Sequence, residues 1–172
     1  MEQPTAGSPD VAQPSEDEVV ITRVFDAPRE AVWAAWTEPE RMKRWWGPKT
    51  WTAPVARMDV REGGKYVYNM GGPDGPGVWA TGTYREVVRP ERLVMTDSFA
   101  DEDGNIVSGD EYGMPDFPRE LLITVTFEEQ DGKTKMTLRH AGVASVSATD
   151  RAMMEQGWSE SFDKLAEMLA EG

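Results

Sequence analysis

The stretch SATDRAMMEQGWSESFDKLAEMLA, residues 147–170, decides the fold. It opens on Ser147-Ala148-Thr149-Asp150, a capping-box-like start with Asp where Glu or Gln is usual. Met154, Trp158, Phe162, Leu165 and Leu169 then recur at helical spacing and draw one apolar stripe. Roughly 23 residues at ~1.5 Å each make a rod of about 35 Å. A helix of that length with one apolar stripe must lie on a broad apolar surface.

That surface has to come from the residues upstream. Glu120 to Glu128 and Lys133 to His140 read as a hairpin across Gln130-Asp131-Gly132, where Asp-Gly is a strong turn signal. Arg92 to Phe99 and Val78 to Val88 read as strands around the turn Arg89-Pro90-Glu91. Residues 71–77 are a run of glycines and prolines, a hairpin loop of breakers. Lys65 to Met70 alternates, with Tyr66, Tyr68 and Met70 on one face and Lys65, Val67 and Asn69 on the other. Gly63-Gly64 is a turn, and Trp51 to Val60 a further strand. Residues 100–118 form a long loop without periodicity, the kind that serves as a lid or mobile segment.

At the front, the β-branched run Val19 to Phe25 reads as a strand. Asp26 or Ala27 lies near a helix cap, and Pro28 suits the first helical turn. Ala31, Val32, Ala35 and Trp36 follow the helical period; Glu38-Pro39 breaks it, and a second short helix runs to Trp45, ended by Gly47-Pro48. Residues 1–17 are rich in Pro, Gly, Ser and Gln without Lys or Arg, and are expected to be a disordered acidic tail. Residues 18–172 are expected to form a single domain. The order is strand, two short helices, about six strands joined by short turns, then the long helix, which is α+β with an antiparallel sheet. A strongly twisted sheet can curl around that helix and leave a cavity between them.

Composition narrows function. With 18 basic and 31 acidic residues the net charge is -13, the wrong sign for general nucleic-acid binding or stable association with anionic membranes. There is no cysteine, hence no disulfide, thiolate chemistry or Cys-type zinc site. Residues 1–20 lack the basic start and apolar core of a signal peptide, and no apolar run approaches the roughly 18 residues of a spanning helix; a cytoplasmic protein is expected. No phosphate-binding glycine loop, nucleophile elbow or His-rich zinc motif is present. No metal and no cofactor is implied.

The segments Phe25–Trp33 (FDAPREAVW), Thr37-Glu38-Pro39-Glu40 and Arg44-Trp45-Trp46-Gly47-Pro48 resemble the activator of heat shock protein 90 ATPase homologue-like (AHSA-type) family. So do Gly63–Tyr66 (GGKY), Gly82–Val87 (GTYREV), Pro90–Leu93 (PERL), Val125–Glu128 (VTFE) and Gly157–Leu165 (GWSESFDKL). That family belongs to the START-like, or SRPBCC, superfamily, whose helix-grip fold is shared with pollen allergens and polyketide cyclases. The resemblance implies a curved antiparallel sheet wrapped around the C-terminal helix with a deep apolar pocket between. Co-chaperone activity is not implied: the eukaryotic activator has an additional N-terminal domain, where this chain has a short tail.

The seven tryptophans divide accordingly. Trp33, Trp36, Trp45 and Trp46 belong to the helical entry motif and are expected to pack the short helices on the sheet. Trp158 is assigned to the cavity, with Trp79 undecided. Ligand-binding candidates are Tyr66, Tyr68, Met70, Met95, Phe99, Phe117, His140, Met154, Trp158 and Phe162, each of which core packing also explains. Met114, with Phe117, is placed to close over a ligand.

Two polar residues are the catalytic candidates. His140, the single histidine, ends a strand on the face of Met136 and Leu138, where it suits acid–base work or a hydrogen-bonded edge position. Asp97 shares an otherwise apolar face with Leu93, Met95 and Phe99, at a position where the family often has an aromatic. A buried carboxylate is costly unless paired, so Asp97 is a base, an acid or an anchor for a ligand amine or hydroxyl, or the strand twists and it reaches water; the hypothesis is that Asp97 and His140 converge in the pocket. The acidic loop from Asp101 to Asp116 fails the calcium-loop pattern and reads as a solvated lid edge.

The leading expectation is binding of a small apolar or amphipathic molecule between sheet and helix. The alternatives are an enzyme using the same pocket for proton transfer (cyclase, dehydratase or hydrolase type) and a chaperone-interacting module. A homodimer through exposed aromatics stays open.

Overall fold

The computed structural model describes residues 17–47, 50–71, 77–115 and 117–171, with the side chains of Pro54 and Val55 also left aside. The tail up to residue 16, the loop core at 72–76, Pro48, Lys49 and Asp116 lie outside the described residues. Seven strands and three helices follow one another as β1 (Glu18–Phe25), α1 (Arg29–Thr37), α2 (Pro39–Trp45), β2 (Thr52–Met58), β3 (Lys65–Gly71), β4 (Val78–Val88), β5 (Arg92–Ala100), β6 (Leu121–Gln130), β7 (Lys133–Ala141) and α3 (Ala148–Ala170). The strands form one curved antiparallel sheet in the order β1-β7-β6-β5-β4-β3-β2, a helix-grip α+β fold.

Sequential strands pair as hairpins, except that β1 crosses to the far end and pairs with β7. The crossover is what α1 and α2 bridge. Asp17, assigned to the tail, is ordered because its carbonyl accepts from the backbone N–H of Gly142 and Val143, at 2.8 and 3.1 Å. The β6–β7 turn places Asp131 and Gly132 both at positive φ, 54° and 82°, the geometry for which Asp-Gly is selected.

Helix α1 starts at Arg29, with Pro28 itself the cap residue; its carbonyl accepts from Ala31 and Val32. At α3, Ser147 is the N-cap, and its hydroxyl accepts from the Asp150 N–H at 3.1 Å.

The core lies between the concave face of the sheet and the helices. Trp36 and Trp45 are completely buried, with Trp33 and Trp46 nearly so. Burying an indole N–H demands an acceptor. Trp45 Nε1 donates to the Ala35 carbonyl at 2.9 Å and Trp36 Nε1 to Met136 Sδ at 3.3 Å. Phe162, Leu165 and Met168, in the C-terminal half of α3, complete this core. On the flank of α3, Arg23 of β1 pairs with Asp163 at 3.0 Å. No helix among the described residues is long and apolar enough to cross a membrane.

Candidate functional site

A cavity of about 310 Å3 opens between the N-terminal half of α3, strands β3 to β5 and the loop that precedes β6. Its walls are mostly apolar. Met153, Met154 and Trp158 come from α3; Tyr68 and Met70 from β3; Val78 and Ala80 from β4; Phe99 from β5; and Leu121 from the start of β6. Trp46 and Trp51 close the side nearest α2.

The long loop supplies one wall. Tyr112 ends a 3-10 turn at Gly109–Tyr112 and donates its hydroxyl proton to the Ala100 carbonyl at 2.6 Å, while accepting from the Trp79 N–H at 3.3 Å. Phe99 meets Tyr112 and Phe117 at ring distances of 5.3 and 5.5 Å. These contacts set Tyr112, Met114 and Phe117 against the cavity. Gly109 is required here, because a Cβ would stand 2.1 Å from the Met114 carbonyl oxygen.

One corner of the cavity is polar. Asp97 on β5 and His140 on β7 are separated by the whole of β6, yet their side chains meet above it. Asp97 lies opposite Leu121, and His140 opposite Ile123, so the two reach across between adjacent inward residues of β6. His140 Nε2 is 3.0 Å from Asp97 Oδ2, with side-chain exposures of 7% and 16%. Trp158 Nε1 lies 3.2 Å from His140 Nδ1. An indole nitrogen only donates, so Nδ1 must be the accepting nitrogen of a neutral ring. The ring proton therefore sits on Nε2 and is donated to Asp97. The chain Trp158→His140→Asp97 thus fixes the tautomer by geometry. The other carboxylate oxygen, Oδ1, has no hydrogen-bond partner among the described residues.

The tyrosines next to this corner are held as neutral phenols. Burial pushes Tyr66 and Tyr68 well above the ordinary phenol range, and the Asp97 carboxylate adds to the effect in both. On the other side, Lys164 of α3 donates to the Trp51 carbonyl at 2.9 Å and the Trp46 carbonyl at 3.4 Å. That ties the Trp46–Trp51 wall to the helix. Burial lowers the Lys164 ammonium pKa, and Glu160 opposes the shift.

Of the sequence-chosen lining residues, Tyr68, Met70, Phe99, Phe117, His140, Met154 and Trp158 face the cavity. Tyr66, Met95 and Phe162 do not; they belong to the core. Tyr66 passes over Gly82, its cross-strand partner, to donate to the Thr96 carbonyl at 2.5 Å. A Cβ on Gly82 would lie 2.6 Å from that ring, so the phenol is directed along the sheet and not into the space above it. Met95 is buried, flanked in the sheet by Tyr84 and Ile123, its partners on β4 and β6. Phe162 is fully buried and meets Phe25, Trp45 and Trp158 at 6.3, 6.2 and 5.6 Å. The apolar stripe of α3 therefore divides, with Met154 and Trp158 over the cavity and the residues after them in the core.

Trp46 packs in the core as its motif implies and also lines the cavity, as do Trp51, Tyr112, Leu121 and Met153. Trp46 is the C-cap of α2, extended at φ −69° and ψ 135°, so its indole leaves the helical direction that Trp45 follows into the core. Among the described residues no group of three or more metal-ligating side chains is assembled.

Solved structures share this architecture. A protein from Arthrobacter aurescens is 32% identical, with 90% of this chain and 87% of that chain covered and a TM-score of 0.75. Protein Ms6760 from Mycobacterium smegmatis is 29% identical over 88% of this chain and 90% of that chain, with a TM-score of 0.74. Protein NE0264 from Nitrosomonas europaea, at 22% identity, 92% and 97% coverage and a TM-score of 0.76, shares the fold. No curated protein matches the sequence. Residues 26–170 match the family described as activator of Hsp90 ATPase homolog 1-like protein, and the chain belongs to that family.

Proposed function

We propose that the protein binds a small apolar or amphipathic molecule in the cavity between the curved sheet and the N-terminal half of α3. The observation that carries this reading is the cavity itself, about 310 Å3 of largely apolar space with one buried polar corner. Interiors are ordinarily close-packed, and space lined by aromatic and Met side chains with a few fixed polar groups is the usual form of a small-molecule site. The apolar walls favour burial of a ligand body at roughly 25 cal/mol per Å2, before association costs. The polar corner fixes which end enters.

Titration with a neutral apolar probe, N-phenyl-1-naphthylamine, tests it. Trp46, Trp51 and Trp158 line the cavity, so occupancy should change intrinsic fluorescence in a saturable way. The replacement Ala80→Phe projects a ring into the space and should abolish the response while leaving the fold intact. No saturable response in the unaltered protein, or an undiminished one in the filled variant, would overturn the reading.

The Asp97–His140 contact favours an enzyme as the second reading. Both ring nitrogens are engaged, however, one accepting from Trp158 and one donating to Asp97. His140 has no lone pair turned toward a ligand, and the group open to proton transfer is Asp97 Oδ1. Turnover of a bound molecule that is lost in Asp97→Asn would establish this second reading.

A further inference from the structure

We infer that the cavity selects a lipophilic amine, with the ammonium group donating to Asp97 Oδ1 beside the rings of Trp46, Tyr68 and Trp158. This rests on the binding reading above and names the ligand class. The first ground is the charge of the lining. The ionisable residues facing the cavity other than His140 and tyrosine are Asp97 and Asp150, and no Lys or Arg is among the described lining residues. Lys164 approaches from α3, but its ammonium is turned to the Trp51 and Trp46 carbonyls.

The second ground is that His140 does not neutralise Asp97. Its Nδ1 accepts from Trp158, so the ring that donates to Oδ2 is the neutral tautomer. Asp97 is then a mostly buried carboxylate with one oxygen satisfied and the other without a partner among the described residues. A cationic donor compensates such a charge, an alcohol satisfies only the hydrogen bond, and a carboxylate ligand adds repulsion.

The third ground is the neighbourhood. Trp46 meets Tyr68 at 4.8 Å and Trp158 at 5.2 Å, and Trp158 meets His140 at 5.9 Å. Aromatic rings attract cations through their quadrupole, Trp most strongly. The same rings do little for an alcohol beyond apolar contact.

Decylamine, decan-1-ol and decanoate share one tail and differ at the head group. Their ability to displace N-phenyl-1-naphthylamine near neutral pH, below micellar concentrations, ranks the three. The amine is expected to displace the probe at a concentration about tenfold lower than the alcohol, the scale of a charge-assisted hydrogen bond, with decanoate weakest. In Asp97→Asn, checked for fold by circular dichroism, the gap between amine and alcohol should close to within about threefold, while the alcohol changes little. Asp97→Ser takes its place if the Asn variant does not fold. Equal affinity of amine and alcohol, decanoate matching the amine, or a gap that survives in the variant overturns the inference while leaving the cavity reading standing. Absence of any probe binding to the unaltered protein removes both.

Discussion

Replacing Trp158 with Phe isolates the hydrogen bond that fixes His140. The ring contacts of Trp158 with Trp36, Trp46 and Phe162, at 6.2, 5.2 and 5.6 Å, are largely kept by the smaller ring. What disappears is the indole N–H, leaving His140 Nδ1 without its donor inside a residue only 6% exposed. A buried acceptor left unsatisfied costs about 1–3 kcal/mol, and that is the expected loss in denaturant unfolding. In a His140→Phe background the same replacement should cost clearly less, because the acceptor is already gone. The chain has one histidine, so a long-range 1H–15N spectrum contains a single imidazole. In the unaltered protein it should report a bare Nδ1 and a protonated Nε2. A proton on Nδ1, or a Trp158→Phe cost indistinguishable from zero, would refute the donor assignment and the neutral corner built on it.

Three further outcomes follow from the division between core and cavity. Phe162→Ala empties a fully buried site and should cost about 3–5 kcal/mol, whereas Phe117→Ala, on the partly exposed loop wall, should cost well under half of that and mainly weaken probe binding. The phenols of Tyr66 and Tyr68 are raised by burial first and Asp97 second, so above about pH 10 the unfolded chain releases protons that the folded chain retains. Stability is therefore full below that pH and falls above it, and phenolate absorbance from these two residues should rise only with unfolding; full ionisation of a still-folded protein would contradict this. Lys164→Met releases the Trp46 and Trp51 carbonyls and should cost about 1 kcal/mol, with hydrogen exchange accelerating in the segment between α2 and β2; unchanged exchange there would show that the ammonium does not hold it.

The regular elements were legible because their periodicity is local. The strand Val78–Val88 and the helix ending at Ala170 are where alternation and the 3.6-residue stripe put them. Alternation likewise placed Asp97 on the inward face of β5 and His140 on that of β7. Those two faces carry the hypothesis that the pair converges, and at 3.0 Å it does; the direct contact itself depends on the register of β6 between them, which no local pattern specifies. The loop before β6 looked aperiodic for a related reason. Its order comes from Tyr112 reaching back to Ala100 and from rings that meet Phe99, contacts between chemistry and distance rather than a repeat. Trp46 packs in the core as its motif implies and lines the cavity as well, whereas Phe162, a lining candidate, lies in the core alone. Trp46 is a cap residue with extended backbone, and Phe162 follows the half of α3 that lies against the cavity.

A carboxylate 3.0 Å from an imidazole in a buried pocket invites a catalytic assignment, and the third member of the chain argues against taking it at once. In a working general base the carboxylate orients one ring nitrogen and leaves the other lone pair aimed at the substrate. Here that second lone pair is spent on Trp158, a partner that can only donate. The imidazole is thereby a spacer between an indole and a carboxylate, and the charge at the polar corner resides on Asp97 alone. Such an arrangement holds one carboxylate oxygen at a fixed place in an apolar room, which is what orienting a ligand requires. Proton transfer would require Asp97 itself to act, or Trp158 to swing away when a ligand enters. The packing of Trp158 against Trp36, Trp46 and Phe162 opposes the second of these. Binding is accordingly the function that this corner supports without rearrangement.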